Sequence, residues 1–443
     1  MRLPDYVVKC LDALENAGFA AYAVGGCVRD LCLGLQPHDY DLCTSALPEQ
    51  TEAVFQNYRL VLAGKKHGTV GVVTEQGVVE ITTFRTEGAY QDNRHPGWVA
   101  FVPEIEKDLA RRDFTVNAMA WSPKRGFADP FGGLQDLENR VLRAVGEPEM
   151  RFREDSLRIL RGVRFAVRYH LAVEPATEAA MFALSPLMEN LARERVFEEL
   201  CKLLPLVKAG DLQRFAPVIT AVIPELAGAV GFDQRSPHHA YDLFTHISLV
   251  TENVPPELTL RWAALLHDTG KVATFTTDDT GRGHFYGHDK ASAEIADEVL
   301  RRLKAPTALR EQVAELIGRH MTRLEPEKKT LRRWISRLGL DTVEALLQLQ
   351  QADMGSKGTG KPNKGAHFAK VWAVLEEIKA EESCLSLKDL AVNGHDLMAL
   401  GIRGKEIGNS LSLLLDQVLE EALPNEKNAL LGYLQQRNQE DSP

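Results

Sequence analysis

The chain has 443 residues, of which 44% are hydrophobic and 26% are charged, a composition typical of a globular protein with about two to four domains. The formal net charge is −10, which argues against a uniformly basic nucleic-acid-binding surface, and no apolar run approaches the roughly 18–20 residues of a membrane-spanning helix. Six cysteines lack Cys-x-x-Cys spacing, so we expect reduced thiols, no membrane partner and a cytoplasmic location.

The predicted elements change in kind along the chain. "MRLPDYVVKCLDALENAG" has the spacing of an amphipathic helix, and "GTVGVVTEQGVVEITTF" contains two β-branched runs around a turn, which predicts a hairpin. From about Glu147 onward the apolar spacing is helical almost throughout, as in "EDSLRILRGVRFAVRY". We therefore predict an α+β fold, with a mixed head followed by a long all-helical body.

A glycine doublet and two aspartates lie close together near the start of the chain. Gly25 and Gly26 follow a β-like run, and glycines let backbone N–H groups approach a phosphate closely. Asp39 and Asp41 are two residues apart, so on a strand both carboxylates point to one face. A divalent cation such as Mg²⁺ would relieve their repulsion. With Arg29 aimed at the same anion, this set predicts phosphoryl or nucleotidyl transfer, and a solvated Asp-x-Asp turn is the alternative.

Five successive stretches resemble the motifs of one enzyme family. They read "GGCVRDLCLGLQPHDYDLCT", "TFRTEGAYQDNRHPGWVAFV", "LARRDFTVNAMA", "DPFGGLQDLENRVLRAVG" and "EDSLRILRGVRF". In this order they are similar to the polymerase-β-type nucleotidyltransferases, in the class II form of bacterial tRNA CCA-adding enzymes and poly(A) polymerases. The resemblance covers roughly the first 200 residues. It implies a polymerase-β-like head, with a mixed sheet and helices, followed by an all-α neck, body and tail.

The resemblance also implies roles for individual side chains. Asp155 and Arg158, which we expect at i and i+3 on one helical face, would bond the Watson–Crick edge of CTP or ATP. Arg161 and Arg164 would hold the triphosphate. By the same resemblance, Arg112 would contact phosphate and Asp113 would contact the ribose hydroxyls. The alternative is that this pair caps a helix. A flexible loop associated with the switch from CTP to ATP would contain Arg85, Glu87, Asp92 and Arg94.

A second constellation lies in the helical body. The order H…HD…H…H…D resembles that of the HD-domain metal phosphohydrolases. The resemblance implies a site for a transition metal (Mn, Ni, Co, Fe or Zn), since imidazole and carboxylate suit such ions. Its ligands would be His246, His267, Asp268 and Asp353 for one metal, extended toward two metals by His288 and His320. A degenerate HD fold with a structural role is the alternative.

Together these patterns predict four domains and one main activity. The domains are a nucleotidyltransferase head, a helical neck with the nucleotide-selecting helix, an HD-type helical metal domain and a helical RNA-binding tail, over residues 1–145, 146–235, 236–370 and 371–443. The resemblance implies addition of the 3′-terminal CCA to the tRNA acceptor arm from CTP and ATP, without a nucleic-acid template. An A-adding enzyme, a poly(A) polymerase and an HD phosphohydrolase with a vestigial head are the alternatives, and the oligomeric state stays open.

Overall fold

The computed structural model describes residues 1–88, 99–358, 365–381 and 385–440, except for the side chains at 87 and 438–440. The chain divides into two compact units. The first comprises Met1–Val207 and Arg214–Pro224, and the second comprises Lys208–Gln213 and Glu225–Pro443. Within the described ranges, every helix is too short or too polar to cross a membrane.

The first unit is built on a seven-stranded sheet with the strand order β3-β4-β5-β2-β1-β8-β9. Strands β2 and β5 are parallel, and the other neighbours are antiparallel. Small pairs are formed by β6 with β7 and by β10 with β11. The strands are β1 (Ala21–Val24), β2 (Asp41–Thr44), β3 (Arg59–Val61), β4 (Thr69–Thr74), β5 (Gly77–Thr83), β6 (Arg85–Glu87), β7 (Val99–Phe101), β8 (Ala120–Ser122), β9 (Gly126–Ala128), β10 (Val141–Leu142) and β11 (Ala172–Val173).

The helices of the first unit cover this sheet and continue beyond it. Helix α7 is buried over most of its length, including Leu160 and Val163, so it forms the centre of the helical part. The helices are α1 (Asp5–Asn16), α2 (Gly26–Cys32), α3 (Pro48–Val54), α4 (Ile105–Ala110), α5 (Gly133–Glu138), α6 (Pro148–Glu154), α7 (Leu157–Tyr169), α8 (Pro175–Leu184), α9 (Arg193–Leu203), α10 (Ala209–Arg214), which spans the division between units, and α11 (Ala216–Val222). Short 3₁₀ turns cover Lys65–His67, Thr115–Asn117, Ser185–Asn190 and Pro224–Ala229.

The second unit is helical, apart from a small hairpin. Helix α13 is buried beyond its first turn, with Trp262 fully inaccessible, so the residues that follow it start inside the core. The last three helices share a separate apolar cluster. The elements are α12 (Leu243–Asn253), α13 (Leu258–Leu266), α14 (Lys271–Thr274), β12 (Thr276–Thr277), β13 (Gly283–His284), α15 (His288–Arg302), α16 (Thr307–Arg319), α17 (Lys328–Leu338), α18 (Leu340–Gly355), α19 (Gly365–Ala380), α20 (Gly394–Ala399), α21 (Lys405–Leu419) and α22 (Lys427–Glu440).

The predicted fold class is confirmed, and so is the hairpin, which is formed by β4 and β5. The α-helix that the capping alternative for Asp113 requires does not form. The apolar run there forms a single 3₁₀ turn and then strand β8, because Ala120 pairs with Val24 of β1 and completes the sheet. The four domain ranges stay a prediction. Of the predicted loop, Asp92 and Arg94 lie outside the described residues.

Candidate functional site: a polar cavity in the first unit

The glycine doublet and the aspartates are brought together by the pairing of β1 and β2. These strands are antiparallel, with Ala23 opposite Leu42, so the end of β1 lies beside the start of β2. Gly25 has a φ of +74°, and a Cβ at this position would lie 2.8 Å from Nη1 of Arg112. Only glycine therefore allows the chain to turn into α2 and still leaves room for this guanidinium.

The two aspartates alternate with a buried tyrosine. Asp41 is the first residue of β2, and Asp39 precedes the strand. Both are open to solvent, while Tyr40 between them is only 6% exposed. This alternation places both carboxylates on one side of an extended segment, as predicted.

A third carboxylate, which the sequence analysis did not predict, lies beside them. Glu80 of β5 is the register partner of Asp41 across the parallel pair β2–β5, and paired residues project to the same face. Partial burial, together with the negative charges of Asp39 and Glu80, raises the pKa of Asp41 to about 6. The signal in the sequence was the polar residue inside the apolar run "GVVEITT", but only the strand register shows which residue it faces.

This electrostatic strain predicts a pH-dependent gain of stability in the variant Asp41→Asn. An unfolded aspartate has a pKa near 3.9, and the folded value is about 6. Between these values the folded protein keeps a proton that the unfolded chain loses, so the contribution of Asp41 to the free energy of unfolding falls as the pH rises. Asparagine lacks this penalty. In EDTA, the Tm difference between variant and wild type should grow from about pH 4 to 6 and then level off. A difference independent of pH would contradict the assignment.

Two arginines are fixed at the cavity by a buried aspartate. Arg111 and Arg112 lie 2.9 Å and 3.2 Å from the two carboxylate oxygens of Asp108, whose side chain is 1% exposed. Burial alone would raise the pKa of Asp108, but the charges of the two guanidinium groups lower it. Asp108 also accepts a hydrogen bond from the backbone N–H of Arg85, at 3.2 Å. It is a positioning residue that sequence analysis did not identify.

Asp113 is engaged by neighbours on both carboxylate oxygens. Oδ1 accepts a hydrogen bond from Nδ2 of Asn117 at 3.0 Å, and Oδ2 accepts one from Nε of Arg161 at 2.9 Å. Burial opposes ionisation, but the charge of Arg161 and the Asn117 hydrogen bond lower the pKa of Asp113 to about 2. Oδ1 also accepts the N–H of Phe114 at 2.9 Å. These contacts leave Asp113 ionised at the cavity wall.

The expectation that Asp155 and Arg158 share a helical face is wrong. Helix α7 begins at Leu157, and Asp155 lies in the break after α6 with extended backbone (φ −142°, ψ 101°). The reason is local: Oδ1 of Asp155 accepts the N–H of Leu157 at 3.1 Å, a side-chain turn that competes with helix. Arg195 of α9, which was not predicted, donates to Oδ2 of Asp155 at 2.8 Å.

Arg158 is held in one orientation by three acceptors. Its guanidinium donates to Oε2 of Glu154 at 2.7 Å, to the carbonyl of Arg151 at 3.1 Å and to the carbonyl of Arg111 at 2.9 Å. On the same helix, Arg164 donates to Glu199 at 2.6 Å.

One cavity of about 470 Å³ collects the predicted side chains. The residues predicted for catalysis and nucleotide binding that line it are Gly25, Gly26, Arg29, Asp39, Asp41, Arg112, Asp113, Asp155, Arg158, Arg161 and Arg164. The remaining lining residues are Arg111, Asn117, Phe165 and Arg195. The wall therefore carries four carboxylates and seven guanidinium groups, which suits a metal-bound polyphosphate.

A histidine–aspartate cluster in the second unit

The second unit brings the predicted metal ligands around one aspartate. Asp268 is 1% exposed and follows the buried helix α13. Its carboxylate oxygens lie 3.2 to 3.8 Å from Nε2 of four histidines, which are His246, His267, His288 and His320. Nε2 of His246 also lies 3.1 Å from Asp353. The six predicted residues therefore form one cluster, referred to below as the His–Asp cluster.

The histidine rings are oriented as metal ligands are. Nδ1 of each faces a backbone carbonyl, at 3.4 Å for His246, 2.8 Å for His267, 2.7 Å for His288 and 2.6 Å for His320. A carbonyl only accepts, so Nδ1 carries the proton and Nε2 offers its lone pair to the centre of the cluster. Burial, followed by the charge of His267, lowers the pKa of His320 to about 4, which keeps that ring neutral.

The donor atoms form two groups that share Asp268. Those of His246, His267 and Asp268 lie within 4.8 Å of one another, and so do those of Asp268, His288 and His320. Among the described residues, Nε2 of His246 and Nε2 of His267 are buried without a hydrogen-bond partner. Buried polar atoms without partners are costly, and a cation would satisfy both.

Further side chains surround the cluster. The ring of His239, which was not predicted, packs edge-on against His246 at 5.0 Å between centroids. Lys271 lies 2.7 Å from Asp268, and Lys357 lies 3.0 Å from Asp353. A cavity of about 360 Å³ opens beside the cluster and is lined by residues that include His320, Asp353, Lys357, Arg323, Met354 and Phe368.

Comparison with known proteins

Three family models match the chain. The poly A polymerase head domain covers residues 21–143, the probable RNA and SrmB-binding site of polymerase A covers 170–209, and the putative tRNA nucleotidyltransferase domain 2 covers 286–434. The first match contains the aspartate pair and the glycine doublet. The last match contains His288, His320 and Asp353 of the His–Asp cluster.

The chain is also similar to characterised proteins along its whole length. It is 33% identical to the CCA-adding enzyme of Streptococcus mutans, over 98% of each chain. The crystal structure of the Bacillus stearothermophilus CCA-adding enzyme in complex with CTP matches with a TM-score of 0.74 and 30% identity, over 99% of this chain and 98% of that one. The Thermotoga maritima enzyme complexed with tRNA shares the fold, with a TM-score of 0.57 and 24% identity over 98% and 96% of the two chains. The chain therefore belongs to the family of CCA-adding enzymes, which are metal-dependent tRNA nucleotidyltransferases.

Proposed function

We propose that the cavity of the first unit builds the 3′-terminal CCA of tRNA from CTP and ATP, one nucleotide at a time and without a nucleic-acid template. The observation that carries this proposal is the convergence of the eleven residues predicted for catalysis and nucleotide binding on one cavity of about 470 Å³. The Bacillus stearothermophilus relative was solved with CTP, which supports the choice of nucleotide. A cytoplasmic location is part of the proposal, supported by the free thiols of Cys10, Cys27, Cys32 and Cys43.

The carboxylate edge of the cavity fits a magnesium site. Asp39 and Asp41 supply hard oxygen donors, and burial together with the negative charges of Asp39 and Glu80 raises the pKa of Asp41, which a bound cation would offset. Mg²⁺ bound there would polarise the 3′-hydroxyl of the tRNA and neutralise the pyrophosphate. The hydroxyl oxygen forms a bond to the α-phosphorus of the nucleotide, and the bond from that phosphorus to the pyrophosphate breaks.

The guanidinium groups of the cavity would have two roles, binding the triphosphate and recognising the base. Arg112, Arg161 and Arg164 line the cavity and would bind the triphosphate, since planar donors suit phosphate oxygens. Arg158 is fixed by its three acceptors and would donate to the Watson–Crick edge of the base, while Asp155 accepts from the exocyclic amine that C and A share. Asp113 would accept from the ribose hydroxyls. The helical second unit would recognise the tRNA acceptor arm by shape and phosphate contacts.

Extension of tRNA transcripts tests this proposal directly. With transcripts that lack CCA, CA or only the final A, and with CTP and ATP supplied separately and together, we expect growth by C, C and A followed by a stop. CTP alone should give two additions, and ATP alone should extend only the transcript that ends in CC. Addition of a single A, and only to the transcript that already ends in CC, would indicate an A-adding enzyme. An open-ended ladder of added A residues would indicate a poly(A) polymerase. Either result would overturn the proposal.

A second activity is favoured by the His–Asp cluster. We propose that it holds one or two transition-metal ions (Mn, Ni, Co, Fe or Zn) and hydrolyses a phosphoester in an HD-type site. The donor set fits, since the four histidines and Asp268 form two groups of donor atoms, and Asp353 lies 3.1 Å from Nε2 of His246. Bound metal would supply a hydroxide nucleophile near neutral pH. Lys271 and Lys357, each paired with a carboxylate of the cluster, balance its negative charge.

A further inference from the structure

Two aromatic rings on helix α7 face several guanidinium groups. Phe165 and Tyr169 are one turn apart, with 5% and 4% of their surfaces exposed and 6.2 Å between ring centroids. The guanidinium carbon of Arg29 lies 4.3 Å from the centroid of Tyr169 and 5.3 Å from that of Phe165. Those of Arg161 and Arg164 lie 5.3 Å and 4.4 Å from the centroid of Phe165. We refer to Phe165 and Tyr169 as the aromatic platform.

The aromatic platform offsets the repulsion between the guanidinium groups. Three positive charges around one ring repel one another, and the groups that offset this repulsion must leave the cavity open. The face of an aromatic ring attracts cations without adding a negative charge that would repel a phosphate. Phe165 itself lines the cavity, so its ring and the guanidinium groups share one wall.

Each guanidinium also has hydrogen-bond acceptors of its own. Arg161 is bonded to Asp113 and Arg164 to Glu199. Arg29 donates to Asp30 at 2.7 Å, to the hydroxyl of Tyr169 at 2.5 Å and to Oδ1 of Asn117. These contacts hold Arg29 at the cavity wall, and its role as a phosphate ligand stays a prediction. The rings and these acceptors together leave each cation little freedom to move.

We propose that Phe165 and Tyr169 are positioning residues that hold these guanidinium groups in place for the triphosphate of the incoming nucleotide. The inference rests on the proposed site for CTP and ATP in this cavity. Because both nucleotides carry the same triphosphate, the platform contributes equally to the binding of each. It acts on affinity for phosphates and leaves the choice of base to Asp155 and Arg158. Pyrophosphate, which has neither base nor ribose, reports on the same groups.

Calorimetric titration of Phe165→Leu with CTP, ATP and pyrophosphate, each with Mg²⁺, tests this inference without turnover. We expect the Kd of all three to rise by about tenfold, within the range of cation–π contacts removed from water. The matched control is Phe152→Leu, which removes a fully buried ring of the same unit that packs on Phe114. The control should lose a similar amount of Tm and leave the three Kd values unchanged. Phe165→Tyr keeps the ring and should restore them.

The outcomes separate this inference from the proposed function. If Phe165→Leu lowers Tm as the control does but leaves the pyrophosphate Kd unchanged, the platform is only structural and the inference is wrong. A rise in the Kd for one nucleotide alone would also overturn it. If Phe165→Leu does not fold, Tyr169→Leu is judged by the same criteria. Failure of the wild type to add nucleotides to tRNA, with pyrophosphate binding intact, would overturn the proposed function and leave the platform standing.

Discussion

Asp41→Asn is expected to abolish nucleotide addition to tRNA, with a loss of about a thousandfold or more in turnover. The substitution keeps the shape of the side chain and removes the charge that would bind Mg²⁺ beside the attacking hydroxyl. Nucleotide affinity should change far less, because the base and triphosphate contact arginines elsewhere in the cavity. Single-turnover extension of a tRNA ending in CC, with ATP and Mg²⁺ at saturation, measures the effect on the chemical step.

Substitution of the neighbouring carboxylates should also reduce turnover, whereas substitution of a distant carboxylate should not. Asp39→Asn should cause a loss of similar size, and Glu80→Gln should reduce turnover as well, since Glu80 is the register partner of Asp41. The matched control is Asp12→Asn, which removes a carboxylate of the same unit that pairs with Lys124 at the surface. Its turnover should equal that of the wild type. Full activity in Asp41→Asn would show that the metal is bound elsewhere.

Asp268→Asn is expected to remove metal binding from the second unit almost completely. The carboxylate lies in both groups of donor atoms, so its neutralisation weakens every binding position in the His–Asp cluster. Asparagine keeps the volume and an acceptor oxygen for Lys271, which limits the damage to the core. After loading with Mn²⁺ or Ni²⁺ and gel filtration, elemental analysis should find about one or two ions per wild-type chain and close to none in the variant.

Two further measurements test whether the effect of Asp268→Asn is specific to the His–Asp cluster. Asp278→Asn removes a carboxylate that lies 2.8 Å from Nε2 of His284 but outside the cluster, and it should retain the metal. The tRNA extension activity of Asp268→Asn should stay within about twofold of the wild type, because the head cavity keeps all of its residues. Equal metal content in Asp268→Asn and the wild type would contradict the assignment, and so would a loss of metal in Asp278→Asn.

Local patterns in the sequence were sufficient where function depends on neighbours in the chain. Asp39 and Asp41 could be predicted because the strand period of two residues puts both on one face. Gly25 could be predicted from the glycine doublet after a β-like run, and the structure shows that a Cβ there would contact a guanidinium. The histidines of the second unit were recognised from their order through resemblance, and the structure brings them within reach of Asp268.

Residues that act across the fold could not be predicted in this way. Glu80 faces Asp41 only through the parallel register of β2 and β5, and Asp108 orients two arginines only because α4 is buried against the sheet. Arg195 contacts Asp155 from a helix 40 residues further along the chain. The break before α7 was missed for a different reason. Apolar periodicity continues across it, but the side chain of Asp155 takes the N–H of Leu157 and ends the preceding helix.

That break has a consequence for reading two bases at one site. Cytosine and adenine each present an exocyclic amine next to a ring nitrogen, at the same spacing, so one acceptor and one donor can serve both bases. Arg158 belongs to a buried helix and is tied to three acceptors. Asp155, on extended backbone between two helices, is held by the N–H of Leu157 and by the guanidinium of Arg195. In their proposed role these two fixed side chains would read the edge that both bases share, whatever the size of the ring system behind it.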